Sequence, residues 1–421
     1  MACLGRDRLA DRPRRGSCQR PRQTVSRWLY QQLANFPANT SNDNHDVARK
    51  ALNSWAKQSA SVYKVQAMIN LARSEPGVLT VPSDLDADPD LLCVENGYVD
   101  LRTGTFHDPD PMKLMTKQAP VAYDHTANAP LWETSLADWQ TDPDTREYLH
   151  RLCGEALSGT VMDHLFVIHF GHGRNGKGTF VGALRSVLGP YFVTPDKSLI
   201  VSGLKEHATV YVSLFRTRLA VAVETDRRVK LSEAEVKNLT GGDQIGARRL
   251  YEDQWWFDPT HSLWLATNYL PQITGFDEGI WERVKVVPWE QSYTGKSRVR
   301  DLGEQLRGEA PGILNWLIEG NLKWRADGID TTPQKVTDAT AEYRQKEDLF
   351  AQWLEDEGWK FLKGTRSTSK ALGESYKGWA DDNNAPPLDW GTLGPWLTAH
   401  GSTSYRSKGG RGWNGIVREN R

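Results

Sequence analysis

The sequence predicts an α/β fold whose core is a largely parallel β-sheet. Four short apolar runs are candidate strands, at residues 165–170, 219–223, 262–266 and 284–287, and helical segments lie between them. Apolar runs of this length that alternate with helices are typical of strands buried on both faces of a parallel sheet. A glycine-rich loop follows the first run, and residues 180–188 after the loop have the pattern of a helix.

The N-terminal third is predicted to consist of helices followed by a β-hairpin. Residues 1–27 carry eight Arg without apolar periodicity, which favours a disordered tail or a misassigned start codon over a nucleic-acid contact. Residues 28–75 have apolar residues at helical spacing, and residues 91–101 predict two strands around the turn at Asn96-Gly97. Helices resume near Trp132 and continue to Leu157. We therefore predict an α+β N-terminal domain at residues 28–150.

The C-terminal third is predicted to be mainly helical. Residues 313–324 have helical periodicity, and the charged segment 330–347 indicates a linker helix. From Leu349 onward the pattern is three helices and then a glycine-rich basic hairpin, the order of a winged-helix module. The predicted boundaries are therefore 151–325 for the sheet-containing core and 326–421 for the linker helix and winged-helix domain.

Composition excludes several classes of protein. The chain has no run of roughly 20 apolar residues, so we expect no membrane span, and its Arg-rich N-terminus lacks the apolar segment of a secretory signal. The four cysteines are scattered, without the spacing of a zinc site, which indicates a cytoplasmic protein. Because the net charge is −1, any contact with nucleic acid depends on local clusters of Lys and Arg.

The segment Gly171-His-Gly-Arg-Asn-Gly-Lys-Gly-Thr179 has the spacing and the strand-to-helix context of a phosphate-binding loop. Glycines let the backbone curl with its N–H groups inward, and the start of the following helix adds partial positive charge. Lys177 is expected to reach the β- and γ-phosphates of ATP. The alternative is an ordinary surface glycine turn. The predicted nucleotide-binding residues are Gly171, Gly173, Asn175, Gly176, Lys177, Gly178 and Thr179.

One position in this loop departs from the usual pattern. The residue after the lysine, where a Ser or Thr normally binds Mg²⁺, is Gly178. Either Thr179 supplies the hydroxyl through a shifted turn or a water molecule takes that position, since Mg²⁺ commonly retains several waters.

Polar residues follow two of the apolar runs. Glu224 and Asp226 come after the second run, where a carboxylate is expected to hold Mg²⁺ directly or through water, or to polarise the attacking water. Asn268 follows the third run and is expected to hold the attacking water beside the γ-phosphate. The alternatives are a solvent-facing strand end for the acids and a cap or turn for Asn268.

The order of these motifs resembles the superfamily-three helicases, and more closely the helicase part of phage and plasmid primase-helicases. The loop is followed by a strand ending in Glu-Thr, by Leu239-Thr-Gly-Gly-Asp243 and by Trp264-Leu-Ala-Thr-Asn268. Similar blocks stand at residues 96–104, 279–283, 312–316 and 342–344, so the resemblance covers roughly residues 80 to 420. It implies an AAA+-like ATPase core and, because we expect no primase domain in the first 80 residues, a separate primase as a possible partner.

The resemblance also implies roles for residues outside the loop. Arg283 matches an arginine that reaches the nucleotide of the neighbouring subunit, with a surface salt bridge as the alternative. Residues 247–253 match a hairpin that projects into a central pore, where Arg248, Arg249 and Tyr251 are candidate DNA contacts. Three residues of the basic C-terminal hairpin are candidate phosphate contacts, with solvated surface side chains as an equally good interpretation: Arg406, Lys408 and Arg411.

Together these features predict a ring-forming, hexameric, ATP- and Mg²⁺-dependent DNA helicase of phage, prophage or plasmid replication in a bacterial cytoplasm. The N-terminal domain would act as a collar or loader, and the family resemblance implies 3′ to 5′ movement. Two alternatives stay open. One is an ATP-regulated protein that binds or remodels a replication origin without processive unwinding. The other is a scaffold with defective hydrolysis, which Gly178 suggests.

Overall fold

The computed structural model describes the chain from residue 19 to residue 419 with interruptions. The described residues are 19–35, 43–72, 75, 80, 82–203, 208–223, 229–273, 278–295, 299–383, 385–407 and 410–419. They form a mixed α/β structure with a five-stranded parallel sheet and many helices. No helix in the described part of the chain is long and apolar enough to cross a membrane.

Three helices precede the first strand: α1 (Gln19–Asn35), α2 (Asp43–Ser59) and α3 (Val62–Ala72). Helix α1 begins at Gln19, inside the segment 1–27 that was predicted to be a tail. Pro21 is compatible with helix there because it lies in the first turn, where a missing N–H costs no hydrogen bond. Helix α3 buries none of its side chains.

A small antiparallel sheet follows, formed by β1 (Leu91–Val94), β2 (Gly97–Asp100) and β3 (Thr105–His107). The predicted hairpin around Asn96-Gly97 is confirmed. The Asn96 side chain ties the turn to Tyr123 through two hydrogen bonds of 2.8 and 2.9 Å. The third strand escaped the sequence prediction because it has only three residues. Helices α4 (Pro130–Trp139) and α5 (Pro143–Glu155) come next.

The parallel sheet is built from β4 (Phe166–Phe170), β5 (Phe192–Val193), β6 (Leu219–Val223), β9 (Ser262–Thr267) and β10 (Val284–Pro288), in the order β10-β4-β9-β6-β5. Every neighbouring pair is parallel, which confirms the predicted parallel core. Between these strands lie α6 (Lys177–Leu188), α7 (Glu233–Thr240), the antiparallel pair β7 (Ile245–Ala247) and β8 (Trp255–Phe257), and α8 (Glu278–Arg283).

Since the five strands are parallel, their carboxyl ends meet at one edge of the sheet, which we call the carboxyl edge. Phe170, Val223, Thr267 and Pro288 end their strands there. Consecutive side chains of β4 enter different cores: Val167 packs with Trp132 and Phe180 on one face, and Phe166 and Ile168 pack on the other. Helices α9 (Leu302–Gly308) and α10 (Ala310–Asp327) contribute to the first core, and Tyr343 of α11 (Gln334–Glu347) to the second.

The chain ends in six elements with a separate apolar core. They are α12 (Leu349–Asp356), β11 (Trp359–Thr368), α13 (Ser369–Asn383), α14 (Trp390–Ala399), β12 (Thr403–Ser407) and β13 (Gly410–Arg418). The strands form an antiparallel sheet in the order β11-β13-β12. The sequence predicted the three helices and the hairpin but not β11. This strand is mostly exposed and lacks the apolar alternation by which strands are recognised.

Candidate functional site

The glycine-rich loop crosses the carboxyl edge between β4 and α6. Its last residue, Gly176, has a φ of +88° and lies against the indole ring of Trp139, 2.4 Å from where a Cβ atom would stand. Both the backbone angle and this close contact exclude any other residue type. The loop therefore owes its path partly to a residue of helix α4, which sequence spacing did not identify.

Lys177 opens helix α6 and is buried. Its ammonium group donates to the Gly171 carbonyl at 2.9 Å, to the Thr267 carbonyl at 2.9 Å and to Asn268 Oδ1 at 3.0 Å. The structure thus brings together the predicted loop lysine and the predicted asparagine at the end of β9. A buried cation is stable here because oxygen acceptors from two adjacent strand ends replace its hydration shell.

Hydrogen bonds connect the loop to Trp289, which directly follows β10, and through Trp289 to β4. Asn175 Nδ2 donates to the Trp289 carbonyl at 3.0 Å, and the Trp289 indole N–H donates to His169 Nδ1 at 3.2 Å. Burial, together with the positive charge of Lys177, lowers the pKa of His169 to about 3, so this imidazole is neutral. Sequence reasoning identified Asn175 but missed Trp289 and His169, because nothing in their local sequence marks them.

An open cleft of about 490 Å³ lies beside Lys177. Gly178 and Arg185 of α6 line it together with Asn268 and with Val223 at the end of β6. A volume of this size is within the range of small-ligand sites. The two acids predicted after β6, Glu224 and Asp226, lie outside the described residues. Within the described ranges, no group of three or more His, Cys, Asp and Glu residues could hold a metal ion.

Thr179 does not line this cleft. It lines a second one, of about 1150 Å³, on the other side of the loop, together with Gly176, Asp138, Trp139 and Tyr293. The separation follows from helix geometry, because residues two apart on a helix point in nearly opposite directions. Helix α6 begins at Lys177 without an irregular turn that would bring Thr179 back toward the lysine.

Arg283 lies far from Lys177 within the same chain. It ends α8 and immediately precedes Val284, the first residue of β10, so it stands at the edge of the sheet opposite the carboxyl edge. Five strand residues separate the two edges, a distance of roughly 16 Å. Arg283 Nη1 donates to the Gly279 carbonyl at 2.7 Å, and its Nε is buried without a hydrogen-bond partner among the described residues.

The strands β7 and β8 form the hairpin predicted to contact DNA. Leu250 is 73% exposed and Tyr251 is 98% exposed, so these two residues form its tip. Tyr251 has a φ of +64°, a conformation that is uncommon for residues other than glycine. Arg248 Nε donates to the Glu252 carbonyl at 3.1 Å, and Arg249 lies 3.9 Å from the Glu252 carboxylate, so the hairpin partly engages both arginines.

On the C-terminal hairpin, Arg406 and Arg411 stand directly opposite each other on β12 and β13, and both are exposed. Lys408 lies outside the described residues. These two arginines belong to a different sheet from the β7–β8 hairpin, so the predicted nucleic-acid contacts are divided between two sheets.

Comparison with known proteins finds similarity to viral proteins named as helicases and primases. Residues 16–141 match the family model described as "D5 N terminal like". The chain is 27% identical over 348 residues to "Putative helicase L207/L206" of Acanthamoeba polyphaga mimivirus, which is 75% of this chain and 36% of that protein. It is 24% identical over 217 residues to "Putative primase C962R" of African swine fever virus, which is 48% of this chain and 22% of that protein.

These matches confirm the resemblance to primase-helicases that the motifs predicted, and extend it upstream to helices α1 to α3. The chain spans only about a third of the length of the mimivirus protein. Among solved structures, the fold is similar to "The apo structure of NrS-1 C terminal region (305-718)", with a TM-score of 0.50 and 12% identity over 84% of this chain and 89% of the other.

Proposed function

We propose that this chain is an ATP-dependent DNA helicase whose AAA+-like P-loop ATPase centre is the carboxyl edge of the parallel sheet. The observation that carries the proposal is the position of Lys177. It is buried in the first turn of α6 and bonded to Asn268 on the neighbouring strand, beside an open cleft. The names of the viral relatives, a helicase and a primase, support a role in DNA replication.

The two clefts suggest how a nucleotide lies across the loop. The phosphates occupy the cleft of Lys177, where the loop N–H groups and the start of α6 attract anions. The base and ribose occupy the larger cleft beyond Gly176, which offers the hydroxyl of Thr179 and the aromatic rings of Trp139 and Tyr293. In this arrangement Lys177 exchanges its protein oxygens for phosphate oxygens, and Asn268 becomes free to hold the attacking water.

Mg²⁺ is proposed to bind in the Lys177 cleft, where it neutralises charge on the β- and γ-phosphates. Gly178 lines this cleft but has no hydroxyl, and Thr179 faces the other cleft, so water takes the position that a Ser or Thr usually fills. Glu224 and Asp226, which follow β6 directly, are the proposed acidic residues on this side.

Arg283 is proposed to act on the nucleotide of a neighbouring subunit. Its position at the far edge of the sheet, roughly 16 Å from the carboxyl edge, suits it for a site in another copy and not for its own. A hexameric ring repeats this contact at every interface, which makes hydrolysis depend on assembly.

The hairpin tip at Leu250 and Tyr251 is proposed to grip the strand that passes through the ring. Its exposure leaves the Tyr251 ring available for stacking on a base, and Arg248 and Arg249 lie at its base near the backbone phosphates. The C-terminal six elements are proposed to be a winged-helix DNA anchor. Movement from 3′ to 5′ and cooperation with a separate primase remain parts of the same proposal.

A forked-duplex unwinding assay, run beside ATP hydrolysis for wild type and Lys177→Ala, tests the proposal. Wild type should hydrolyse ATP and separate the strands in the presence of Mg²⁺. Lys177→Ala should neither hydrolyse ATP nor separate the strands. DNA-stimulated hydrolysis without strand separation would identify a remodelling protein instead. ATP binding with turnover no faster than that of Lys177→Ala would identify the scaffold that Gly178 suggests.

A further inference from the structure

Strand β8 consists of three consecutive aromatic residues, and the middle one points outward. The rings of Trp255 and Phe257 lie against Phe215, with centroid distances of 4.7 and 5.4 Å. Because successive strand residues point to opposite faces, Trp256 faces away from this contact, and it is 62% exposed. The solvent face of an antiparallel strand pair usually carries polar side chains, so an indole at this position is unusual.

The backbone of β7 supports the Trp256 ring. Gly246 stands directly opposite Trp256 in the hairpin. A Cβ at Gly246 would lie 3.1 Å from Cη2 and Cζ3 of the indole and 2.6 Å from Nε2 of Gln254. The indole therefore lies across the glycine, and the other side of the ring is open to solvent. Because the ring is already held in place, little conformational entropy is lost when a ligand stacks on it.

The charges of this hairpin, residues Ile245 to Phe257, are balanced. Two cations, Arg248 and Arg249, stand against Glu252 and Asp253. Arg249 lies 3.9 Å from the Glu252 carboxylate, so part of the positive charge is compensated within the hairpin. A nucleic-acid backbone is attracted mainly by uncompensated cations. Stacking on an uncovered ring is therefore the stronger contribution that this hairpin can make to binding.

We propose that Trp256 is a stacking platform for the bases of single-stranded DNA, in addition to Tyr251 at the hairpin tip. This inference rests on the proposed function in taking DNA as the ligand of the hairpin. The hairpin then holds the strand by its bases more than by its phosphates. Every base has a face that can stack, so such a contact tolerates any sequence. A duplex does not fit, because its bases are already stacked on one another.

The test compares the binding of two labelled single strands to the full chain without nucleotide. One strand is an oligothymidine, and the other is an abasic strand of the same length with the same number of phosphates. The variants are Trp256→Ala, Trp256→Leu and Trp256→Phe. The matched control is Trp28→Ala, which removes a 53% exposed indole from helix α1. Thermal unfolding establishes that all variants are folded.

We expect Trp256→Ala to bind oligothymidine about tenfold more weakly than wild type, the contribution of one stacked base, and to bind the abasic strand equally well. Trp256→Phe should keep most of the affinity, because a smaller ring still stacks. Trp256→Leu is apolar but has no ring, so it should lose about as much affinity as Trp256→Ala. Trp28→Ala should bind both strands as wild type does.

The inference is overturned if Trp256→Ala binds oligothymidine as tightly as wild type, or if both strands lose affinity equally. It is also overturned if Trp256→Leu binds as tightly as Trp256→Phe, since the indole then packs against an apolar surface such as a second copy of the chain. No ATP is present, so these affinities do not depend on hydrolysis. Unwinding by wild type together with full affinity in every Trp256 variant would overturn this inference and leave the proposed function intact.

Discussion

The carboxyl edge of the parallel sheet and the C-terminal antiparallel sheet β11-β13-β12 place their cations in opposite ways. At the carboxyl edge, Lys177 is buried and held by three oxygens, within a loop that Trp139 and Trp289 fix in place. On the C-terminal sheet, Arg406 and Arg411 are exposed cross-strand neighbours that form no ion pair within the described residues.

We propose that this difference reflects two kinds of ligand. A small anion with defined geometry is bound best by groups that are already oriented, because little conformational entropy is then lost on binding. A polymer with evenly spaced charges is bound by many exposed cations that need no fixed orientation. Substitutions at the carboxyl edge should therefore change catalysis by orders of magnitude, and substitutions on the surfaces proposed to contact DNA should change affinity by smaller factors.

The largest effect is expected for Arg283→Ala. If this residue completes the site of a neighbouring subunit, the substitution should lower ATP hydrolysis by the assembled protein by about 1000-fold, because a trans arginine stabilises the charge of the transferring phosphoryl group. Arg344→Ala is the control, since Arg344 is a nearby exposed arginine that pairs with Glu278. If the assembled Arg283→Ala variant hydrolyses ATP at the wild-type rate, Arg283 does not contribute to the site of a neighbouring subunit.

The next effect is expected for Asn268→Ala. Loss of its amide should lower the turnover number by about 100-fold, the usual cost of losing one positioned polar group at a reacting centre. The Michaelis constant for ATP should change less, because Lys177 keeps its other contacts. A steady-state titration with ATP separates the two constants. A change confined to the Michaelis constant would mean that Asn268 only assists binding.

A smaller effect is expected at the hairpin tip. Tyr251→Ala should weaken binding of single-stranded DNA by about tenfold, the contribution of one stacked base. Because Tyr251 is 98% exposed, thermal stability should not fall. Leu250→Ala at the same tip removes apolar area without an aromatic ring and is the matched control. If the two variants lose equal affinity, stacking is not the contribution of Tyr251.

The smallest effect is expected at Gly178, where a substitution should increase the apparent affinity for Mg²⁺. A Cβ at Gly178 or at Gly182 meets no atom within 4 Å, and both residues line the Lys177 cleft. Gly178→Ser should therefore fold and lower the Mg²⁺ concentration needed for half-maximal hydrolysis several-fold, since it restores a hydroxyl at the usual position. Gly182→Ser, one helical turn away, should not. An equal shift in both variants, or none in either, would contradict water as the substitute ligand.

The sequence predicted the carboxyl edge better than the outer surfaces. Four strands were identifiable because buried parallel strands are continuous apolar runs. Asn268 was identifiable because it follows such a run directly, and Lys177 because it ends a glycine-rich loop between a strand and a helix. Strand β5 has two residues, and β11 is mostly exposed, so neither carries a recognisable pattern.

Other features depend on contacts between distant parts of the chain. The contact of Trp139 with Gly176 joins helix α4 to the loop, and the hydrogen bond of Asn175 to Trp289 joins the loop to the end of β10. Neither pairing has a local sequence signal. The separation of Thr179 from Lys177 was predictable in principle from helix phase, but only once the first residue of α6 was known.

Binding of labelled ATP with Mg²⁺ to wild type and to Lys177→Ala, measured by fluorescence anisotropy, tests the central claim most directly. The matched control is Lys323→Ala, which removes an exposed lysine that pairs with Glu147 on the helical surface. We predict that wild type and Lys323→Ala bind equally and that Lys177→Ala binds at least tenfold more weakly, since it loses a charged contact to phosphate. Equal ATP affinity in all three proteins would contradict the assignment of the carboxyl edge as the nucleotide site.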